Sequence, residues 1–169
     1  MYRIGLGYDI HKLDYNRDLI IGGIKIPYEK GLVGHSDADV LIHAIIDAMF
    51  GALALGDIGT HFPDTDNEYK DVSSILLLKR ALQLINDEGY TINNIDCNII
   101  VQEPKMKPYI PKIREKLAKE LMIDINLISI KAKTNEQMDA VGEKKAIEAQ
   151  AIVMLRKDMQ WNSYTQWLE

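Results

Sequence analysis

Two short stretches of the sequence carry residues that could share a metal ion. Asp9 and His11 are two residues apart in YRIGLGYDIHKL, which reads as a strand that runs into a loop. Because residues i and i+2 of an extended chain point to the same side, the carboxylate and the imidazole can aim at one point. An ordinary exposed surface pair is the alternative, since most charged side chains lie in solvent.

The second stretch, HSDADVLIHAIID (residues 35–47), reads as an amphipathic helix. Asp39, His43 and Asp47 are four residues apart and would stack on one face. Ser36 stands where an N-cap residue belongs, with Asp39 three residues further on, as in a capping box. A single histidine on such a face is usually solvated or structurally hydrogen-bonded, so this stretch gains meaning only beside the first.

Together, Asp9, His11 and His43 supply one carboxylate and two imidazoles, and we call them the metal triad. Three nitrogen and oxygen ligands with a vacant fourth position are typical of a catalytic zinc site, whereas structural zinc sites more often use cysteines. The chain has only one cysteine. Asp39 or Asp47 could accept a ring N–H and fix the orientation of the imidazole.

The composition is that of a single globular domain. The chain has 169 residues, of which 47% are hydrophobic and 27% charged. Its net charge of −5 argues against a nucleic-acid-binding surface. No apolar run is long enough to span a bilayer, and no signal or transit peptide is expected. Cys97 lies in an apolar run, which predicts a buried, inert thiol and a cytoplasmic, reducing compartment.

Outside these stretches, the chain alternates between strand-like and helix-like segments. Gly22 and Gly23, between two short apolar runs, predict a hairpin. The alternation predicts an α/β two-layer sandwich, with a mixed four-stranded sheet and about three helices on one face. A partner subunit is one way to cover the other face. In chain order, the later segments read as helix, strand, helix and strand: VSSILLLKRALQLINDEGY, INNIDCNIIVQ, KIREKLAKELMI and LISIKAKTNE.

The last regular segment and the tail have ambiguous patterns. KKAIEAQAIVMLRK contains helix-favouring alanines, but its β-branched residues could alternate in a strand. We divide the chain into one domain, residues 1–157, and a short aromatic tail, residues 158–169. The tail would dock on the body, dock on a neighbour, or fray. GDIGTHFPDTDNEYKD reads as a surface loop, or as a flexible lid that carries aspartates to a polar ligand.

Three motifs taken together resemble the 2-C-methyl-D-erythritol 2,4-cyclodiphosphate synthase family. They are GYDIHKL, the run from HSDADVLIH through GDIGTHFPDTD, and the turn VQEPKMKPYIP. The resemblance implies that the ambiguous last segment is a strand and that α/β subunits form a homotrimer with active sites between them. It also implies a phosphorus–oxygen lyase of the non-mevalonate isoprenoid pathway. This enzyme converts 4-diphosphocytidyl-2-C-methyl-D-erythritol 2-phosphate into the cyclic diphosphate and releases CMP.

The resemblance implies roles for individual residues as well. The metal triad would hold zinc, and Glu136 would hold a second divalent ion, Mg²⁺ or Mn²⁺. His35 and Thr134 match the positions that stabilise the transition state. Residues 101–107 match a cytosine pocket supplied by the neighbouring subunit. The positions that match substrate contacts are Asp9, His11, His35, Ser36, Asp57, Ile58, Gly59, Phe62, Pro63, Asp64, Thr65, Asp66, Val101, Gln102, Glu103, Pro104, Lys105, Met106, Lys107, Lys133, Thr134, Asn135 and Glu136.

The sequence departs from the family pattern near its end. Ala140 and Glu143 stand where the family commonly has Phe and Arg, and Gln150 stands where an acid is common. In some members, the Phe and Arg line a pocket on the threefold axis that holds an isoprenoid diphosphate. Because Glu143 would repel such an anion, we predict that this protein lacks the pocket or changes its ligand.

Two other functions compete with the synthase. One is a non-catalytic trimer that binds nucleotide or metal, and the other is a zinc hydrolase. A hydrolase needs an activated water and usually a general base, for which Asp47 is a weak candidate. The metal triad, Thr134 and Glu136 together favour the synthase, because a binding module has little need for two metals beside one diphosphate.

Overall fold

One mixed sheet organises residues 1–63 and 72–157, the parts of the chain that the computed structural model describes. Its strands, and those of a separate hairpin, are β1 (Tyr2–Tyr15), β2 (Leu19–Ile21), β3 (Ile24–Ile26), β4 (Lys30–Leu32), β5 (Tyr90–Ile100), β6 (Ile128–Lys133) and β7 (Ala146–Lys157). The sheet has the order β4–β1–β7–β5–β6, and β2 pairs with β3. Only β5 and β6 run parallel; the other neighbours are antiparallel.

The sheet has five strands, so the prediction of four was wrong. The additional strand is β4, which has three residues and pairs with the end of β1 through Leu13 and Leu32. So short a segment carries no period that a sequence pattern could reveal. The ambiguous last segment is strand β7, as the family resemblance implied. It lies between β1 and β5, where both of its edges are paired, and this overrides its helix-favouring alanines.

Among the described residues, three long helices cover one face of the sheet, and the middle one in chain order contacts the other two. The helices are α1 (Val40–Ala52), α2 (Ile58–His61), α3 (Ser74–Asp87), α4 (Ile110–Leu121) and α5 (Asp139–Gly142). The long ones are α1, α3 and α4, and α1 packs directly on β1 and β7. Ten of the 13 residues of α1 are buried, which makes it the central helix of the core. Within the described ranges, no helix is long and apolar enough to cross a membrane.

Helix α1 begins later than the sequence predicted. Its N-cap is Asp39, not Ser36, and the Asp39 carboxylate accepts the N–H of Ile42 at 3.1 Å. The same carboxylate accepts the N–H groups of Gly22 at 2.9 Å and Gly23 at 2.7 Å, which lie in the predicted hairpin. Burial raises the pKa of Asp39 to about 6, although its three backbone donors act in the opposite direction. One buried carboxylate therefore fixes the helix start to the hairpin.

Two glycines allow α1 to lie against the backbone of β1. A Cβ atom on Gly5 would be 1.9 Å from the carbonyl oxygen of Ala48. A Cβ atom on Gly7 would be 1.9 Å from the carbonyl oxygen of Ala44. No side chain fits in such a gap, so the helix and the strand meet backbone to backbone. This contact sets the distance between residues of β1 and residues of α1.

The other face of β1 carries a row of exposed apolar side chains. They are between 42% and 70% exposed, and no helix of the described ranges covers them. A row of this kind is typical of a protein interface. Its members are Tyr2, Ile4, Leu6, Tyr8 and Ile10.

Candidate active site

The metal triad converges in the structure. Asp9 Oδ2 lies 2.9 Å from His11 Nε2 and 3.1 Å from His43 Nδ1. The two imidazole nitrogens are 3.1 Å apart. One ligand atom from each residue lies within 4.8 Å of the others, and no other such cluster occurs among the described residues. The strand residues share one side of β1, as their spacing predicted, and α1 brings the second imidazole to them.

Hydrogen bonds behind the triad orient both imidazoles. His11 Nδ1 lies 3.0 Å from the carbonyl oxygen of Val33, to which it can only donate, so Nε2 faces the triad and carries the lone pair of the neutral ring. His43 Nε2 lies 3.0 Å from Ser74 Oγ and 3.3 Å from Ser36 Oγ, which leaves Nδ1 for the triad. This is the arrangement that metal-binding imidazoles use.

The partner of His43 differs from the prediction. Asp39 caps α1, and Asp47 accepts the N–H of Ile58 at 2.7 Å, so neither orients the ring. Ser74, the first residue of α3, takes that place, and its hydroxyl donates a short hydrogen bond to Asp37. Sequence reasoning missed Ser74, which is 31 positions from His43. Its location after the cap residue of α3 is the only sequence signal for it.

The triad holds its carboxylate in the charged form. Burial tends to raise the pKa of Asp9, but hydrogen bonds and charge from His11 and His43 outweigh it and hold the pKa well below its usual range. Burial tends to lower the pKa of His11, and the bond to Asp9 raises it above its ordinary value. The site thus favours positive charge beside Asp9, whether a proton or a metal ion carries it.

A cavity of about 230 Å³ lies beside the triad. It gathers several of the predicted substrate positions, although Asp57 itself caps α2 through the N–H of Thr60 at 2.8 Å. Pro63 ends the first described range, and the predicted positions Asp64, Thr65 and Asp66 lie outside the described residues. The predicted residues that line the cavity with the triad are His35, Ser36, Ile58, Gly59 and Phe62.

The remaining predicted residues form a second group, the turn cluster, made of residues 101–107 and 133–136. It lies where the parallel strands β5 and β6 end together, with Ile100 paired to Lys133. The N–H of Val101 donates to the carbonyl of Lys133 at 2.9 Å, and the Thr134 hydroxyl donates to Glu136 at 2.7 Å. Thr134 and Glu136 are exposed, with Glu136 in the left-handed region at φ 49°. This cluster presents oxygen ligands and donors to solvent.

Other members of the turn cluster are held by surface contacts or by the core. Glu103 pairs with Lys144 at 2.7 Å, and Asn135 donates to Asp139 at 2.7 Å. The side chain of Met106 is buried, as is that of Val101, so any substrate contact there must come from their backbone groups. The surface members are at least partly exposed: Gln102, Pro104, Lys105, Lys107 and Lys133.

One chain does not bring the triad and the turn cluster together. The triad strand β1 and the cluster strand β6 are separated by β7 and β5. Three strand spacings of ~4.8 Å place β1 and β6 about 14 Å apart, too far for Glu136 and the triad to hold neighbouring ions on one diphosphate. The two groups are therefore separate surfaces of one chain.

Comparison with known proteins identifies the fold and its relatives. A model of the YgbB family matches residues 2–156. The chain belongs to the YgbB family. This YgbB chain is 58% identical over 155 residues to the 2-C-methyl-D-erythritol 2,4-cyclodiphosphate synthase of Clostridium perfringens, with 92% of this chain and 99% of the relative covered. The resemblance found in the sequence is confirmed, and so is the predicted class of enzyme.

Two solved structures superpose on this YgbB chain. IspF of Plasmodium falciparum, in a CDP complex, is 40% identical, with a TM-score of 0.81 and coverage of 92% of this chain and 96% of that one. The bifunctional IspDF of Campylobacter jejuni is 36% identical, with a TM-score of 0.89, and covers 93% of this chain. Only 42% of that longer chain is matched.

Proposed function

We propose that this YgbB protein converts 4-diphosphocytidyl-2-C-methyl-D-erythritol 2-phosphate into 2-C-methyl-D-erythritol 2,4-cyclodiphosphate and releases CMP. The observation that carries the proposal is the convergence of Asp9, His11 and His43 beside a cavity, in a chain 58% identical to a curated synthase of that name. The reaction belongs to isoprenoid precursor biosynthesis. An oxygen of the 2-phosphate bonds to the β-phosphorus, and the bond from that phosphorus to the CMP oxygen breaks. No water is consumed.

The donor set of the triad fits zinc. One carboxylate and two oriented imidazoles are the ligands of a catalytic zinc site. Val33 and Ser74 fix which nitrogen of each ring faces the centre. When bound there, the ion would supply Lewis-acid neutralisation of a diphosphate oxygen. Glu136, an exposed carboxylate, would hold the second divalent ion, magnesium or manganese, which prefers oxygen ligands.

The cavity beside the triad suits the sugar-like part of the substrate. Its volume of about 230 Å³ is below the range of about 300–1,000 Å³ of whole ligand sites, so the nucleotide must extend beyond it. The side chains of Ile58, Phe62 and Leu77 line it and would exclude water from the β-phosphorus. His35, which also lines it, would donate a hydrogen bond to a phosphate oxygen. Thr134 would do the same from the turn cluster.

We infer a homotrimer whose active sites lie between subunits. The exposed apolar row of β1 needs cover, and a second copy of the chain is a simple source of it. The separation of the triad from the turn cluster supports the same assembly, because a neighbour could place its turn cluster beside this chain's triad. Residues 101–107 of that neighbour would then form the cytosine pocket, with their backbone groups reading the base.

The residues predicted to change the axial pocket are all exposed in the single chain. Glu143 pairs with Lys145, while Ala140 offers no large side chain and Gln150 no charge. We retain the prediction that isoprenoid diphosphates do not bind there. Native mass spectrometry of the purified assembly should detect neither farnesyl nor geranyl diphosphate, and a bound molecule of either would contradict it.

We place the enzyme in the cytoplasm. Its single cysteine is buried, and burial raises the pKa of the Cys97 thiol to about 12, so the thiol is inert. The protein has no disulfide to maintain. A reducing compartment suits such a chain.

The test of the reaction is direct. The purified protein is incubated with the cytidyl substrate and Mg²⁺, and ³¹P NMR and chromatography follow CMP and the cyclic product. We expect both to appear in equal amounts. Free phosphate would favour the hydrolase instead, and tight binding without turnover would favour the non-catalytic trimer.

A further inference from the structure

A large groove lies at the end of the molecule away from the metal triad. Helix α3 begins at Ser74, beside the triad, and its 14 residues end at Asp87. This length carries the chain about 20 Å from the site. A cavity of about 840 Å³ opens there between the ends of α3 and α4, the start of β5 and the end of β7. It continues along α3 and α4 as a second cavity of about 410 Å³, with Leu82 and Met122 lining both.

The groove carries exposed apolar side chains at this end of the domain. Met122 is 78% exposed and Leu127 is 37% exposed, and the apolar lining also includes Met1, Tyr2, Leu82, Ile92, Leu121 and Ile123. Met122 follows α4 in the left-handed conformation, at φ 54°, where glycine or asparagine is usual. The backbone therefore does not require methionine there. These apolar side chains lie together on the wall of one groove, where an apolar segment could pack against them.

The nearest chain available to cover the groove is residues 158–169. They begin directly after Lys157, which itself lines the first cavity. The family match ends at residue 156, so this tail lies outside the shared domain. Twelve residues reach about 18 Å as a helix and about 40 Å when extended, enough to pass along both cavities. The tail is rich in large apolar side chains: Met159, Trp161, Tyr164, Trp167 and Leu168.

Charge favours the same occupant. The tail has two charged side chains, Asp158 and Glu169, and both are acidic. The first cavity is lined by Arg156, Lys157 and the single acid Asp124, and the second by Lys79, Lys119 and the single acid Glu120. Each cavity thus has more basic than acidic side chains, which favours a segment whose charged residues are both acidic.

We propose that residues 158–169 fold back and dock in this groove of their own chain, where their aromatic side chains cover Leu82, Met122 and Leu127. The contact lies away from the triad and does not depend on the proposed reaction. Its role is to bury apolar side chains that residues 1–157 leave exposed at this end of the domain.

The two tryptophans of the chain, Trp161 and Trp167, both lie in the tail and make fluorescence specific to it. In the full chain, we expect blue-shifted emission and protection from acrylamide. Met122→Asn removes apolar surface at a residue whose backbone suits asparagine. We expect a red shift and about a tenfold fall in the ratio of docked to free tail. Met138→Asn, at another exposed methionine, is the matched control. It should change neither the emission wavelength nor the ratio of docked to free tail. Emission typical of a fully solvated tryptophan in the full chain overturns the proposal.

A truncated protein that ends at Lys157 gives an independent test. It should bind a synthetic peptide of residues 158–169 in trans, whereas the full chain should not, because its groove is occupied. Turnover should be unchanged by the truncation. Failure of the truncated protein to bind the peptide overturns the proposal.

A disulfide trap separates docking on the same chain from docking on a neighbour. Met122→Cys and Ser163→Cys are combined, and the native Cys97 is buried and will not compete. Mild oxidation should consume both introduced thiols, as a thiol assay of the protein shows, and should leave a species of monomer mass on a non-reducing gel; thiols that stay free would overturn the proposal. Covalent dimers would show that the tail covers a second copy and would overturn docking on its own chain.

Discussion

The two groups of predicted site residues differ in how the chain holds them. The metal triad is fixed by hydrogen bonds among partly buried side chains, and α1, which carries His43, is capped by the fully buried Asp39. The turn cluster is exposed and held by contacts within the surface, such as Thr134 to Glu136 and Lys144 to Glu103. One chain thus completes the metal ligands but only displays the groups assigned to the nucleotide. The difference indicates that folding of one chain sets the distances within the triad; under the proposed assembly, a neighbouring subunit would complete the binding surface.

The largest effect should come from the triad itself. His43→Ala removes one of three ligands and should lower zinc content to background and CMP release by at least about 10³-fold. The assembly should stay intact, because the exposed row of β1 is untouched. Elemental analysis, turnover and size-exclusion chromatography measure the three effects. Undiminished activity in this variant would refute the metal assignment.

Mixing two inactive proteins tests whether the two groups meet across a subunit boundary. His43→Ala keeps its turn cluster and Glu136→Ala keeps its triad. After unfolding and refolding together in equal amounts, half of the triads and half of the neighbouring clusters are intact, so about a quarter of wild-type turnover should return. Each variant refolded alone is the control. If both groups of one site came from a single chain, the mixture would stay inactive.

A smaller loss should follow from the hydrogen bond behind His43. Ser74→Ala removes the acceptor at 3.0 Å from His43 Nε2 and should weaken zinc affinity by about 10- to 100-fold. Competition with a chelator measures the affinity. Ser73→Ala is the matched control, because its hydroxyl caps α3 and does not contact the ring. Equal zinc affinity in the two variants would assign Ser74 a purely structural role.

Variants should also differ in stability, depending on whether the changed residue supports the metal triad or lies in the turn cluster. Asp39→Ala leaves two buried N–H donors and one partly buried N–H donor without their acceptor, and it should lower the free energy of unfolding by about 2–4 kcal/mol. Glu103→Gln weakens an exposed ion pair of the turn cluster and should leave the urea midpoint unchanged within error. A turn-cluster variant as destabilised as Asp39→Ala would remove the distinction.

The sequence correctly predicted the features that depend on residues close together in the chain. The i, i+2 spacing of Asp9 and His11 gives their common side directly, and the glycine pair gives the hairpin. The prediction was wrong where several neighbouring residues could fill the same role and tertiary contacts determine which one does. HSDAD offers several capping residues, and the chain uses Asp39 because the hairpin donates two more N–H groups to it. The order of the strands separates the triad from the turn cluster. Hydrophobic periodicity predicts strands but not their order in a sheet, so this separation could not be predicted from the sequence.

The contact of α1 with the bare backbone of β1 has a consequence for the geometry of the metal triad. The spacing between His43 on α1 and the two triad residues on β1 depends on two hydrogen atoms, the ones that Gly5 and Gly7 carry where other residues have a side chain. A methyl group at either position would meet the helix backbone and push α1 away from β1, with no change to any residue of the triad. The distances within the triad are thus encoded in part by two residues that do not belong to it.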